Sequence, residues 1–508
     1  MESEREVKFE VAEDFRLTAL EQIADVEVRP AGEQVLKATY YDTAALDLAR
    51  WGVTLRFRTT GTTSGGPPSD GASEGKWTLK LPDPTGAVEH LMSRTEVDFH
   101  AGPGSVPRDA EDLVGAYRRG RRLHPVCDLT TTRVKHLLLP SDSPDPAAEV
   151  DDDTVEFTTS KGRSGRFREI EVELKSERGA GLLPTVAQAM QDAGAQSDSG
   201  EPKVLRALEW KPPRFPPQSL SKKSSVESLV SYAVAGSVRR LLSNDPMVRI
   251  TDDSEAVHQA RVATRRLRSD LSTLKPLLKA KTLHQLRGDL KEAGARLGTL
   301  RDTDVMLERL RKSVSKLSPR EREEAEVYVA HLVQERGDAR SHVLDYLSSD
   351  TYVITVDHLV DAIDRPPVRT ADLRAADVLP DLTARRWKAL KRRVKRLGSK
   401  PADQDLHQVR IAAKRCRYAA ELAAPVVGEQ AALMAKTLAD LQSVLGKLQD
   451  AVVLEQWIRT TSAHLPEYRD SVADELIRRE RKQAAKARKT WHKPWDRISN
   501  KGLADWLG

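Results

Sequence analysis

Apolar and polar positions alternate with a period of two in many short stretches of the first 210 residues. This alternation predicts β-strands with one apolar and one polar face. The predicted strands comprise residues 4–8, 35–42, 53–58, 76–81, 94–98, 129–136, 148–153 and 168–175. Short helices are predicted at 15–24, 110–117 and 183–193, and the Gly-, Ser- and Pro-rich residues 61–75 are predicted to form a loop.

The pattern becomes helical after residue 221, where Ala, Leu, Arg and Glu dominate. Residues 211–218 are rich in proline and lack hydrophobic periodicity, which favours an extended connector. We therefore predict a β-rich domain at 1–208, a linker at 209–221 and a helical domain at 222–500. The predicted fold class is multidomain α+β, with an all-α second domain.

The helical half contains an internal repeat. Residues 258–268 resemble residues 407–417 at an offset of 149, and residues 297–302 resemble 445–450 at an offset of 148. Two separate matches at nearly one offset indicate a duplicated unit. The copies are predicted to span about 222–365 and 375–500.

The chain has 508 residues, of which 39% are hydrophobic and 31% charged, and this length suggests two or three domains. No apolar run approaches the length of a membrane span, and the charged N-terminus does not resemble a signal peptide. Cys127 and Cys416 lie far apart, so neither a disulfide framework nor a cysteine metal site is expected. We expect a cytoplasmic protein without a membrane partner.

Charge is distributed unevenly between the two halves. Residues 1–210 contain 26 Lys and Arg against 37 Asp and Glu, whereas residues 211–508 contain 56 against 39. The second half therefore carries a net charge of +17 and favours polyanionic partners such as polyphosphate, nucleic acid or an anionic membrane surface.

The polar faces of the predicted strands separate charges by sign. Glu4, Glu6 and Lys8 share one face, and so do Glu169, Glu171 and Glu173, while other strands offer only cations. Those cations are Arg56, Arg58, Lys76, Lys80 and Arg133. A half-exposed antiparallel sheet also gives charged faces, with the charges in solvent. Segregation by sign instead favours an enclosed lumen, with carboxylates for Mg²⁺ or Mn²⁺ and cations for phosphates.

Each copy of the repeat places its basic residues in one stripe of a helix at 100° per residue. The stripes consist of His258, Arg261, Arg265 and Arg268, and of His407, Arg410, Lys414 and Arg417. A solvated basic face is one interpretation. However, a stripe of one sign lacks the Glu–Lys pairs typical of exposed helices, which favours an anion-binding groove. Few aromatic residues lie nearby, so base stacking is not indicated, although binding to a nucleic-acid backbone stays open.

The sequences EREVK, LRFR, WTLK, VDDD and EIEVEL occur in this order within residues 2–206. Together they resemble the CYTH family, the triphosphate tunnel metalloenzymes, which include thiamine triphosphatases, inorganic triphosphatases and a class of adenylyl cyclases. The resemblance implies an antiparallel β-barrel whose tunnel grips a triphosphate with Mg²⁺ or Mn²⁺.

The same resemblance implies roles for individual residues. Glu4, Glu6 and Lys8 would be catalytic. The metal ligands or their supports would be Glu4, Glu6, Asp151, Glu171 and Glu173, with Glu169 as the alternative in a second register. The phosphate-binding residues would be Lys8, Arg56, Arg58, Lys80, Arg133 and Lys203. Further lining candidates are Lys76, Arg94 and Glu96.

The duplicated helical unit resembles the CHAD domain over residues 222–500. This resemblance implies two pseudo-symmetric helical bundles that bind inorganic polyphosphate through the eight residues of the basic stripes. The expected function is hydrolysis of inorganic triphosphate or a related triphosphate, combined with polyphosphate binding. Two alternatives are a non-catalytic polyanion-binding protein and an adenylyl cyclase; no sequence feature announces an adenine pocket.

Overall fold

A computed structural model of the chain describes residues 2–62, 75–82, 92–197, 202–210, 219–464, 470–500 and 502–507. Most of the predicted loop at 61–75 and all of the Pro-rich segment 211–218 lie outside the described residues. The chain divides into two compact units, residues 1–213 and 214–508. Each unit is described separately below.

In the described part of the first unit, nine strands form an antiparallel sheet. They are β1 (Glu2–Val11), β2 (Val26–Asp42), β3 (Thr54–Thr62), β4 (Lys76–Pro82), β5 (Met92–Phe99), β6 (His124–Pro140), β7 (Ala148–Thr159), β8 (Ser164–Leu174) and β9 (Gln196–Ser197). Their order in the sheet is β5-β4-β3-β2-β6-β7-β8-β1-β9. In addition, β1 pairs with β5, from Glu2 opposite Glu96 to Glu6 opposite Met92.

All eight predicted strands are present, although β2 and β6 are much longer than predicted, with 17 residues each. The predicted helix at 15–24 is a short 3₁₀ helix, Leu17–Gln22, and the one at 110–117 is split into α1 (Arg108–Leu113) and α2 (Gly115–Arg118). The third helix, α3 (Glu177–Asp192), begins six residues earlier than predicted. Among the described residues of this unit, three elements were not predicted: the 3₁₀ helix Ala49–Trp51, β9 and the helix α4 (Lys203–Ala207).

The sheet buries both of its faces near β1 and β8. Phe9, Ile170 and Val172 are fully buried in an apolar core that also contains Val186 and Met190 of α3. Their chain neighbours are charged and nevertheless buried: Lys8 is 8% exposed, Glu169 1% and Glu171 8%. Because successive strand residues point to opposite faces, the second face must contain an enclosed polar region.

Within its described residues, the second unit contains α-helices in two successive series of five. The first series is α5 (Val226–Ile250), α6 (Ser254–Thr273), α7 (Ala280–Val314), α8 (Pro319–Leu347) and α9 (Asp350–Asp364). The second is α10 (Ala375–Lys395), α11 (Asp403–Val427), α12 (Glu429–Ser462), α13 (Asp470–Thr490) and α14 (His492–Asn500). The first series contains residues 258–268 and 297–302 of the sequence repeat, and the second contains their counterparts 407–417 and 445–450.

Local signals explain several helix starts. The Ser225 side chain accepts a hydrogen bond from the Ser228 N–H at the start of α5, and Asp253 accepts one from the Glu255 N–H at α6. Ser318 and Glu321 form a reciprocal capping box at α8, where Pro319 occupies the first helical position.

One apolar cluster joins the two helical series. Leu310 and Tyr328 from α7 and α8 pack in the same cluster as Leu454 and Leu476 from α12 and α13. None of the described helices combines the length and apolarity needed to cross a lipid bilayer.

Candidate functional site

Strand register places charged residues side by side on the enclosed polar face of the sheet. Lys8 in β1 lies opposite Glu171 in β8, and Glu171 lies opposite Asp151 in β7. One step along, Asp153 lies opposite Glu169 in β8 and opposite Arg133 in β6. Four neighbouring strands thus contribute to one charged surface.

Lys203 is buried among the carboxylates of this surface. Its Nζ lies 2.9 Å from Asp153 Oδ2, 2.6 Å from Glu169 Oε1 and 2.8 Å from Glu171 Oε1. Burial alone would lower the pKa of Lys203, but these three carboxylates outweigh burial and raise it well above its ordinary value. Lys203 therefore stays charged at neutral pH.

Lys8 forms a second buried cation in the same surface. Its Nζ lies 3.3 Å from Glu6 Oε1 and forms a short ion pair with Glu171. Burial opposes the charged form, but Glu171 and Glu6 outweigh it, so the pKa of Lys8 is raised. Lys8 is thus a permanent cation rather than a proton acceptor at neutral pH.

Arg133 connects the carboxylates of β7 and β8. Its Nε and Nη2 donate to Asp153 Oδ1 and Oδ2 at 2.7 and 2.6 Å, and Nη2 also donates to Glu171 Oε2 at 2.9 Å. Asp151 completes this set through a short ion pair with Arg133. The bidentate geometry fixes the guanidinium in one orientation.

A second wall, on β2 to β5, is cationic. Arg56 Nη1 donates to the Tyr40 hydroxyl at 3.2 Å, and Lys80 pairs with Glu96. The neighbouring Arg56 charge, followed by burial, lowers the pKa of Arg58 to about 10. Burial would raise the pKa of Tyr40, but Arg56 outweighs it and the pKa is lowered. The wall therefore has the positive potential that stabilises an anion.

The two walls line one cavity of about 90 Å³. The sequence-predicted residues that line it are Glu6, Lys8, Arg56, Arg58, Lys80, Arg133, Asp151, Glu171, Glu173 and Lys203. Glu169 does not line the cavity but contacts Lys203, and Glu4 lies in β1 opposite Arg94, its side chain being outside the described part.

The three additional lining candidates behave differently from one another. Arg94 lines the cavity, and Glu96 pairs with the lining residue Lys80. Lys76 does not line it; its Nζ pairs with Asp98 Oδ2 at 2.8 Å in an exposed position. The cavity also includes Tyr40 and Thr131, which the sequence pattern did not indicate.

Asp153 is the important residue that sequence reasoning missed. It is completely buried and pairs with both Arg133 and Lys203. A signal was present, because Asp153 follows Asp151 by two residues and must share its face of the strand.

The carboxylate cluster fits a divalent cation. Asp153, Glu169 and Glu171 each offer an oxygen within 4.8 Å of the others. Among the described residues, Glu169 Oε2 and Asp151 Oδ1 are buried without a hydrogen-bond partner. Burial and then Asp153 raise the pKa of Asp151 to about 7, although Arg133 opposes them. Such oxygen ligands suit Mg²⁺ or Mn²⁺.

In the second unit, the basic stripes of the two copies meet at Tyr418. Arg265 Nε in α6 donates to the Tyr418 hydroxyl in α11 at 2.9 Å. The guanidinium groups of Arg266 and Arg417 lie 5.0 and 4.9 Å from the centre of the Tyr418 ring. One aromatic ring therefore holds cations from both copies.

Glycines of the repeated motif make room for arginines. Arg261 Nη1 donates to the Gly294 carbonyl at 2.7 Å, and a Cβ at Gly298 would lie 3.0 Å from Arg261 Nη2. In the second copy, a Cβ at Gly446 would lie 3.5 Å from Arg410 Nη2. The glycine of each Leu-Gly (LG) pair, Gly298 in the first copy and Gly446 in the second, is thus where an arginine packs against the next helix.

The pKa of Lys414 is perturbed where the two basic stripes meet. Burial, followed by the charges of Arg265 and Arg410, lowers the pKa of Lys414 to about 7. Arg261 and Arg410 also act on Asp302 of α7, but burial outweighs them and raises the pKa of Asp302. Residues of both copies therefore share one electrostatic environment.

A cavity of about 530 Å³ lies beside these residues. Of the predicted stripe residues, Arg261, Arg265, Arg268 and Lys414 line it, while His258, His407, Arg410 and Arg417 do not. Its further basic residues are His284, Arg287 and Lys291 of α7 and Arg415 of α11. Sequence reasoning missed the three α7 residues, although their spacing of three and four places them on one helix face.

Comparisons with known proteins agree with the division into two units. A CYTH domain model matches residues 2–205, and a CHAD domain model matches residues 232–459. An uncharacterized protein of Mycobacterium tuberculosis, in strains CDC 1551 and H37Rv, is 30% identical over 474 residues. The match covers 89% of this chain and 87% of the relative. The chain belongs to the CYTH and CHAD families.

Solved structures resemble each domain of this CYTH–CHAD protein. PptA from Streptomyces chartreusis is 20% identical, with a TM-score of 0.45, and covers 54% of this chain and 100% of its own. The CHAD domain from the plant Ricinus communis is 22% identical, with a TM-score of 0.47 over 54% and 94%. A Hippeastrum protein described as a putative adenylyl cyclase with a dominant triphosphatase activity is 16% identical, with a TM-score of 0.24 over 41% and 98%. At these TM-scores, we draw no function from the three structures.

Proposed function

We propose that the CYTH domain hydrolyses inorganic triphosphate, or a related triphosphate, with Mg²⁺ or Mn²⁺, and that the CHAD domain binds inorganic polyphosphate. The observation that carries this proposal is the cavity of the sheet, where a carboxylate wall faces a wall of arginines and lysines. A binder of phosphate alone has little need of so many buried carboxylates, because each costs desolvation energy.

The strand pairings support a tunnel around this cavity. β1 pairs on one side with β8 and on the other with β5, which is the far end of the sheet order. We propose that these pairings form the closed barrel that the sequence resemblance implies. Such a barrel would expose the substrate phosphates to both walls at once.

The residues divide into three roles in this proposal. Glu6, Asp151, Glu171 and Glu173 line the cavity and would hold the metal, together with Glu169 of the buried carboxylate cluster and with Glu4, which is assigned from its place in β1. A bound divalent cation would neutralise charge on the phosphate oxygens. Asp153 pairs with Arg133 and Lys203 and holds these two cations in position.

The cations bind the transferred group. Arg56, Arg58, Lys80 and Arg133 bind phosphate oxygens, and the charge of Lys8 stabilises the terminal phosphate during attack by water. Because the pKa of Lys8 is raised, the proton of the attacking water must pass to a carboxylate or to solvent.

The enzyme assignment is tested by phosphate release from tripolyphosphate, long-chain polyphosphate, thiamine triphosphate and ATP. We expect the full-length protein to require Mg²⁺ or Mn²⁺ and to lose activity in EDTA. Glu171→Gln should reduce kcat by about 100-fold or more, the effect typical of removing one electrostatic contact to a transition state.

Glu156→Gln is the matched control, because Glu156 is an exposed carboxylate of the adjacent strand β7. It should retain the wild-type rate. Undiminished turnover by Glu171→Gln, or equal turnover without a divalent metal, would contradict the proposed triphosphatase.

The polyphosphate assignment is tested with the double variant Arg261→Ala/Arg410→Ala. We expect weaker binding of long-chain polyphosphate and a shallower dependence of affinity on salt, because fewer counterions are released. The control Lys312→Ala/Arg320→Ala removes the same charge from exposed positions of α7 and α8. Equal affinity in both double variants would remove the basic groove from the proposal.

A further inference from the structure

The two copies of the CHAD domain can be compared position by position. Residues of α11 follow their counterparts in α6 by 149, and residues of α12 follow those in α7 by 148. Buried positions confirm the second offset, because Leu290 and Leu297 of α7 correspond to Leu438 and Leu445 of α12, and all four are buried. Counterparts therefore occupy equivalent positions in the two copies. Where the residue type at such a position differs, the two copies differ in their chemistry.

The end of the stripe carries two serines in the first copy, and Ser272 Oγ accepts a hydrogen bond from Arg386 Nη2 at 2.9 Å. Ser269 and Ser272 follow Arg268 on α6, and all three line the cavity of about 530 Å³. Arg268 is exposed, and within the described ranges no carboxylate lies at ion-pair distance from it. Its guanidinium is thus available to an anion in the cavity.

The equivalent place carries larger side chains in the second copy, where it borders a different cavity of about 790 Å³. The counterparts of Ser269 and Ser272 are Tyr418 and Glu421. Arg417, the counterpart of Arg268, has its Nε 3.2 Å from Glu421 Oε1 and its guanidinium 4.9 Å from the Tyr418 ring centre. Arg266 also pairs with Glu421. The charge of Arg417 is therefore compensated within the protein.

The helices α7 and α12 differ in the same way: the first copy carries more basic side chains than the second. His284, Arg287 and Lys291 of α7 line the cavity of about 530 Å³, which residues of both copies border. Their counterparts in α12 are Ala432, Ala435 and Ala439. The first copy thus adds the cations Arg287 and Lys291 and one imidazole at places where the second copy has only methyl groups.

We propose that the CHAD domain binds polyphosphate asymmetrically, through a principal subsite formed by Arg268, Arg287 and Lys291 of the first copy. The equivalent part of the second copy has become a structural support, in which Tyr418 and Glu421 hold Arg266 and Arg417. The ligand is a linear polyphosphate, whose consecutive charged phosphates match cations one helical turn apart. This inference rests on the proposed polyphosphate binding.

The test compares two double variants of the full-length protein in EDTA. Arg287→Ala/Lys291→Ala removes two charges from the first copy, and Lys436→Ala/Lys447→Ala removes two exposed charges from α12 of the second copy. Binding of fluorescent long-chain polyphosphate is measured by anisotropy over a salt series. We expect the first variant to weaken binding by about tenfold and to flatten the salt dependence, while the second stays within about twofold of wild type.

Ser272→Glu supplies a variant that keeps all cations. It introduces the carboxylate that the second copy has at Glu421, four residues after Arg268, where it can pair with that arginine. We expect it to weaken polyphosphate binding, and circular dichroism should show an unchanged helical content.

Equal loss of affinity in the two double variants, or wild-type binding by both Arg287→Ala/Lys291→Ala and Ser272→Glu, would overturn the asymmetry. Absence of polyphosphate binding by the wild-type protein would instead overturn the proposed function itself. The two failures are therefore distinguishable.

Discussion

At the scale of single residues, this protein depends on ionisable side chains in unusual surroundings. Lys203 stays charged inside the sheet because three carboxylates contact its ammonium group. Lys414 is the opposite case, because burial and then the charges of the neighbouring arginines lower its pKa to about 7. Burial opposes the charged form in both lysines, so the sign of the neighbouring charges decides the outcome.

The low pKa of Lys414 predicts that anion binding weakens as the pH rises through 7. Below this pKa the side chain adds a positive charge to the groove, and above it that charge is lost. We expect the Kd for polyphosphate to increase between pH 6 and pH 8.5, with a smaller change in Lys414→Arg, because arginine stays protonated.

Titration of polyphosphate binding across this pH range checks the prediction. His284, which also lines the cavity, is present in both the wild type and Lys414→Arg. The difference between their pH profiles therefore reports the contribution of Lys414 alone. Superimposable profiles would show that Lys414 does not contribute its charge to binding.

At the scale of elements, α7 shows how one helix positions the side chains of another. Its glycines Gly294 and Gly298 allow the arginines of α6 to approach the helix backbone. Glycine is unfavourable inside a helix by about 1 kcal/mol relative to alanine, so these positions need a packing reason. The repeated LG motif is therefore a packing requirement of the basic stripe.

Gly298→Ala should weaken polyphosphate binding severalfold with little loss of stability. The added Cβ would lie 3.0 Å from Arg261 Nη2, and this flexible guanidinium would have to move away from the Gly294 carbonyl. Binding assays and thermal unfolding together measure the two effects.

Gly337→Ala in α8 is the control, since nothing lies within 4 Å of the new Cβ. It should raise the free energy of unfolding by about 1 kcal/mol and leave the affinity unchanged. If Gly298→Ala behaved like this control, close packing of Arg261 would not matter for binding.

At the scale of the whole molecule, the duplicated helical domain has a core shared by both copies. Leu310 and Tyr328 of the first copy pack in one cluster with Leu454 and Leu476 of the second. An ionic contact with a fully buried carboxylate adds to this cluster, because Glu480 of α13 accepts hydrogen bonds from Arg309 Nε at 2.5 Å and Ser313 Oγ at 3.0 Å. The copies are thus mutually dependent.

Removal of Glu480 should destabilise the CHAD domain as a whole. Glu480→Ala leaves Arg309 without its buried partner, which typically costs about 3–5 kcal/mol. We expect a lower unfolding midpoint and one cooperative transition for both copies, measured by urea denaturation followed by circular dichroism.

Glu475→Ala on the same helix removes a more exposed carboxylate that pairs with Arg478 and Arg479, and it should cost less than about 1 kcal/mol. Two separate transitions, or equal effects of the two substitutions, would contradict a shared core.

The sequence alone determined the elements and much of their chemistry. Alternation with a period of two located the eight main strands, because a strand between two different environments must alternate its side chains. The repeat offset located the basic stripes of α6 and α11, since duplication preserves residue order. Eleven sequence-predicted residues line the cavity of the sheet. Local periodicity can fix the face of a strand residue, whereas Lys203, which lies in a helix, was expected only from the family resemblance.

Tertiary structure decided which residues meet across elements. It brought Asp153 to Lys203 and Arg133, and it placed Arg287 and Lys291 beside Arg268, although these pairs are distant in sequence. It also excluded Arg417 from the cavity, because Glu421 and Tyr418 hold that side chain elsewhere. Periodicity fixes the direction of a side chain relative to its own strand or helix, whereas its partners depend on how the chain packs in three dimensions.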